Sequence, residues 1–165
     1  ILEICGLEPE HVIAEMEARP AREPEIMPTL QEAFDLAGDD ALRLGQTEVR
    51  PENVLIGMFR VEHSLAMEAM QWARVDRERL RAEIGGRVIP ASDRVQGDVP
   101  PRDVAAQAAV NAAIAIVRQR KGEIVNSVHV LRALCDADDA FLSGLLARCG
   151  SSIAKLRERL SDSVL

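Results

Sequence analysis

The sequence contains no tyrosine, one tryptophan and three phenylalanines, so aromatic side chains cannot fill its interior. Alanine, leucine, isoleucine and valine must do so instead, and 47% of the residues are hydrophobic. Alanine and leucine are strong helix formers, which favours closely packed helices. Lysine is equally scarce. Neither Lys121 nor Lys155 stands in a GxxxxGK[ST] loop, which excludes a Walker-type nucleotide engine in this stretch of chain. There is also no GxSxG, HExxH or dinucleotide-binding glycine pattern, and the three histidines are scattered. No catalytic centre, cofactor site or metal site is expected, and the chain reads as a non-enzyme.

Cysteine is sparse: Cys5, Cys135 and Cys149 make an odd count without CxxC spacing. Each falls in an apolar helical pattern and reads as a buried, reduced thiol. No run approaches the ~18 apolar residues of a membrane span. Glu3, Glu8 and Glu10 interrupt the start, which does not resemble a signal peptide. A reducing, cytoplasmic setting without membrane contact is the expectation.

The net charge is −7, and basic residues are concentrated nowhere. Residues 1–28 carry −5, residues 29–90 carry −3 and residues 91–165 carry +1. A phosphate-backbone footprint needs a basic face, so nucleic acid is not an expected partner. Arg74, Arg77, Arg79 and Arg81 form a local basic run, but Asp76, Glu78 and Glu83 interleave with it. That run reads as a solvated helix face rather than an anion site.

What the chain does have is repetition. Val49–Phe59 is apolar on one side and starts its helix at Pro51. It has an echo 75 residues on, at Ile124–Leu134, where Asn126 serves as the helix cap. Ahead of the first copy, Thr29 and Glu32 form a capping-box sequence before Leu30, Phe34, Ala37, Ala41 and Leu44 at helical spacing. Ahead of the second, Pro101 opens an alanine-rich helix reaching about Lys121. At the 75-residue spacing, Ala105, Ala109, Ala112 and Ile116 occupy the inward positions there. Small Gly57 admits the close approach of a neighbouring helix.

Ser64 and Asp76 cap two shorter helices after the first copy. Asp138 or Asp139, and Ser151 or Ser152, do so after the second. The closing helix pair occurs a third time around Cys5–Val12. Trp72 and Phe141 are expected in the core; if exposed, either would be an interface anchor. His129 reads as a core or helix-side histidine, and His11 and His63 as surface residues. Sustained alternation and hairpin turns are lacking, so no strand is expected.

The expected architecture is therefore all-α, with two pseudo-symmetric four-helix repeats. A helix pair at 1–19 resembles half a repeat, and residues 20–28, with three prolines in nine positions, are a linker. Residues 29–86 form the first repeat, 87–100 a second linker and 101–165 the second repeat. The half-repeat cannot bury its apolar sides alone. An upstream copy or a second chain must cover them, which makes a homodimer through residues 1–19 an expectation.

The central motif, with Arg74-Val75-Asp76 and Leu80 in one closing helix pair and Gly150-Ser151-Ser152 and Leu156 in the other, is similar to the Clp amino-terminal repeat. That repeat occurs in pairs at the start of Clp/Hsp100 ATPases and in small proteins lacking the ATPase. The resemblance covers about residues 28–160. It departs from the usual motif at Pro51, Asn53, Ser127 and Val128. It implies a non-catalytic module that docks adaptors or substrate proteins, or competes for them with a Clp ATPase. Some members bind phosphorylated arginine through paired glutamates at the motif. Here Glu52 matches one and Ser127 stands at the other, which makes Glu52 and Ser127 the candidate partner-binding residues. The alternative is a helical regulatory or DNA-associated protein unrelated to proteolysis.

Overall fold

The computed structural model describes residues 23–86 and 97–162. The expected helix pair at 1–19, Cys5, His11 and residues 87–96 of the second linker lie outside the described residues. Eight helices and two very short strands make up the described chain. Strand β1 (Glu25–Ile26) precedes α1 (Pro28–Arg43), α2 (Pro51–Arg60), α3 (Leu65–Trp72) and α4 (Arg77–Gly85). The second half runs α5 (Val104–Gln119), β2 (Ile124–Val125), α6 (Ser127–Asp136), α7 (Ala140–Arg148) and α8 (Ile153–Asp162). Each long helix packs on the central helix that follows it, α1 on α2 and α5 on α6.

Local chemistry places most helix starts. Backbone N–H groups of the first turn lack partners within the helix and need an acceptor from a cap. Ser64 accepts from Met67 N, Asp76 from Arg79 N, Asp139 from Leu142 N, and Asn126 from both Val128 N and His129 N. Two starts differ from expectation. Helix α1 begins at Pro28 after Met27, without a side-chain cap, because proline's fixed backbone angle suits the first helical position; Thr29 is already inside. Helix α5 begins at Val104 rather than Pro101, because Asp103 caps it by accepting from Ala106 N at 2.7 Å.

The two halves superpose in sequence at a spacing of 76, not 75. Leu30, Ala33, Phe34, Ala37 and Ala41 are the buried face of α1, and Ala106, Ala109, Val110, Ala113 and Val117 that of α5. Ala105 and Ala112, expected inward, are exposed. A one-residue slip turns a helix by about 100°, enough to exchange core and solvent faces. The loops after the long helices follow the same spacing, with Gly45 and Lys121 both at positive φ.

The strands are the unexpected element, and they tie the halves together. β1 pairs in parallel with β2, and Val49 forms a parallel bridge with Arg102. Shifted by 76, these are one interaction made twice: the segment before each long helix pairs with the segment before the other repeat's central helix. Met27 N donates to Val125 O at 2.8 Å, and Asp103 N donates to Val49 O at 2.9 Å. Glu25 N adds a bond to Glu123 O at 2.7 Å. Its counterpart Pro101 has no N–H to donate, so the second copy stays a single bridge. The end of the expected linker at 20–28 is thus part of the inter-repeat contact.

One core of buried aliphatic residues runs through both repeats, from Leu30 and Leu55 to Leu131, Leu146 and Leu160. Gly57 is where α1 and α2 touch: a Cβ there would lie 2.2 Å from Ala33 O. Phe141 packs half-buried against the core, but Trp72, at the end of α3, is 46% exposed. Its placement in the core is corrected: Met67 and Met70 supply that helix's buried side. Arg102, entering the second repeat, lies 4.2 Å over the Phe34 ring of the first. Among the described residues, no helix is long and apolar enough to cross a membrane.

Candidate docking site

The first turns of α2 and α6 carry the candidate residues. Both use the third helical residue to reach back to the cap's own N–H. Asn53 Oδ1 accepts from Arg50 N at 2.8 Å, and His129 Nδ1 accepts from Asn126 N at 3.1 Å. Asn53 and His129 are buried and chemically interchangeable in this task, since each offers one acceptor at the same place. His129 has its pKa lowered, first by burial and then by the charge of Arg120. Both effects keep it neutral, the form in which Nδ1 can accept.

Glu52 and Ser127 are not equivalents in the folded chain. At the 76-residue spacing Ser127 matches Pro51, and Glu52 matches Val128. Ser127 is 2% exposed, and its hydroxyl accepts from Ala66 N of α3 at 2.9 Å. It satisfies an unpaired first-turn donor of the other repeat, adding a third tie between the halves. Glu52 sits half-buried at the start of α2 and pairs with no cation among the described residues.

Sequence reasoning missed a charged pair at the other end of α2. Asp40 is buried on the inward face of α1 and takes two bonds from Arg60 Nη1, at 2.8 and 2.9 Å. The signal was an aspartate at helical spacing with Ala33, Ala37 and Ala41. The second repeat has Ile116 and Asp136 at these positions; Asp136 instead takes the Arg132 guanidinium at 2.9 Å.

The remaining titratable chemistry is subdued. Burial, and then Asp136, pushes the Cys135 thiol up to about 12, so it stays protonated. Cys149 is shifted upward too, by burial and then Glu83. Both thiols are free and buried, as expected. Among the described residues no group of three or more His, Cys, Asp or Glu is placed to hold a metal ion. His63 is exposed, and Arg77, Arg79 and Arg81 lie on the solvated side of α4.

Two four-helix units that share a core and exchange short strands define a tandem helical-repeat domain. The family model for the Clp repeat N-terminal domain matches residues 102–164. That match lies in the second repeat, and the chain as a whole has the fold of Clp/Hsp100 N-terminal domains. The N-terminal domain of the caseinolytic protease associated chaperone ClpD from Arabidopsis thaliana aligns with TM-score 0.63 and 17% identity, over 86% of this chain and 98% of that one. The Hsp104 N-terminal domain from Candida albicans gives 0.66 and 16%, over 84% and 90%. A curated relative, the negative regulator of genetic competence ClpC/MecB of Bacillus subtilis (strain 168), is 24% identical over 131 residues. That match takes in 79% of this chain but 16% of the relative's length.

Proposed function

We propose that this chain is a non-catalytic protein-docking module of a Clp chaperone or protease system, binding an adaptor or a substrate protein. The observation that carries the reading is the paired Clp-type repeat, joined into one unit around a shared core. Glu52, unpaired at the start of α2, and exposed Trp72 are the side chains offered to the partner. A carboxylate with no partner of its own can take a cation, and an exposed indole supplies the large apolar contact common in binding hot spots. Ser127 contributes by holding α3 and α6 together. The module works in the cytoplasm on protein partners, not on nucleic acid or membrane. Residues 1–19 are the segment through which two copies would associate.

The test is competition. Purified chain added to a Clp ATPase–protease reaction should inhibit adaptor-dependent degradation and leave the cleavage of short unstructured peptides unchanged. The Glu52→Lys and Trp72→Ala variants should compete at least about tenfold more weakly, a loss of roughly 1.4 kcal/mol. Equal inhibition of both reactions, or none of either, would remove the proposal.

A further inference from the structure

The closing helix pairs of the two repeats meet at their connecting turns. Asp76 N donates to Cys149 O at 3.4 Å, and the Ser151 hydroxyl donates to Ala73 O at 3.4 Å. Between them lies a cleft of about 410 Å³ lined by Ala73, Arg74, Gly150, Lys155, Glu158 and Arg159. Three cations thus face one carboxylate, on a chain whose net charge is −7. Neither Arg74 nor Lys155 pairs with a carboxylate among the described residues. The cleft is roomy on its far side: a Cβ at Gly150 would meet nothing within 4 Å.

The backbone at Arg74 supplies an independent argument. Arg74 and Gly150 are equivalent positions, and both end a helix in the left-handed conformation, with φ of 54° and 75°. The turn's hydrogen bonds are also equivalent. Val75 N donates to Met70 O at 3.0 Å, and Ser151 N donates to Leu146 O at 2.8 Å. Glycine adopts this conformation without cost and arginine does not. The turn therefore opposes the residue that the first repeat places there, and strain retained at a cleft points to a use for the side chain. Lys121 and Asp138 share the conformation, but neither lines a cleft with other charges of its own sign.

We propose that this cleft, with Arg74 and Lys155 as its ligands and Arg159 adding positive charge to its wall, binds the carboxylates of an acidic peptide segment of a protein partner. The guanidinium fork of Arg74 matches a carboxylate in two-point geometry, and Lys155 adds a point charge. Glu158 sets a limit by repelling a ligand that crowds its side of the cleft. The proposal rests on the docking reading above but uses a different face from Glu52.

A fluorescein-labelled hexaglutamate peptide, titrated into the full chain at low and high salt, tests the site. Saturable binding that weakens with salt is expected. Arg74→Gly relieves the strained turn, so its melting temperature should equal or exceed that of the parent. Its peptide affinity should nevertheless fall about tenfold, the scale of one charge-assisted two-point contact. Lys155→Gln should weaken binding and Glu158→Gln should strengthen it. Unsaturable binding, or an Arg74→Gly variant that binds as tightly as the parent, overturns the proposal. So does inorganic phosphate binding as tightly as the peptide, since that would mark a simple anion site. If peptide binding persists while the competition assay fails, the docking reading falls and the cleft stands.

Discussion

Ser127 and His129 stand two residues apart on α6 and meet different demands. Ser127 answers an N–H of another helix, at Ala66, in a buried contact. Removing its hydroxyl leaves that donor buried without an acceptor. Ser127→Ala should therefore cost about 1–3 kcal/mol, read as a lower urea midpoint. Ser127→Thr, which keeps the oxygen, should cost less. His129 answers the N–H of its own cap, and only its neutral ring can do so. Its folded pKa lies below the ordinary value, so the unfolded chain takes up the proton first as pH falls. The stability it contributes is complete above about pH 6.5 and is lost as pH drops through its folded pKa. His129→Asn copies what Asn53 does in the first repeat. It should keep the cap and flatten the slope of melting temperature against pH below 6.5; an unchanged slope would assign that dependence to other groups.

The helices and their caps are the part of the fold most legible from sequence. Ser64, Asp76, Asn126 and one of Asp138 and Asp139 were identifiable as caps because a cap is a local bond within a few residues. Met27 and Asp103 were not, because Thr29 and Pro101 offered equally good local signals and packing decided between them. The inward face of α5 was misread for a related reason. It is so rich in alanine that two adjacent registers look alike, and only contact with α6 separates them. Gly57 was legible as a close-approach site, and the structure gives it a partner in Ala33 O. Gly57→Ala must separate α1 from α2 and should cost about 1–3 kcal/mol, the range for overpacking. Gly85→Ala, where a Cβ meets nothing within 4 Å, is the matched control and should be near neutral in chemical denaturation.

Across the whole molecule, the repeats are held by contacts each makes only with the other. They include the exchanged strand pairings, the Ser127–Ala66 bond, Arg102 over Phe34, and the Arg148–Glu83 ion pair at 2.7 Å. A repeat expressed alone would expose the aliphatic face that its partner covers. Residues 1–90 and 91–165, made as separate chains, should each lack a cooperative unfolding transition. Mixing them should restore one, observed by circular dichroism at 222 nm. Two independently cooperative halves would show that the shared core is not what stabilises the fold.

Of the candidate site, Glu52 was legible as an acidic residue at a helix start, whereas the role of Ser127 was not. A serine at the first turn of a helix looks the same whether it faces solvent or a neighbouring helix. The sequence by itself determined the helical class, the duplication and most helix starts, because these follow from spacing and bonds within a few residues. The tertiary structure alone decided the 76-residue register, the exchange of strands, the exposure of Trp72 and the cationic cleft around Arg74, Lys155 and Arg159. Each of these depends on residues distant along the chain meeting in space, and the packing of one repeat against the other brings them together.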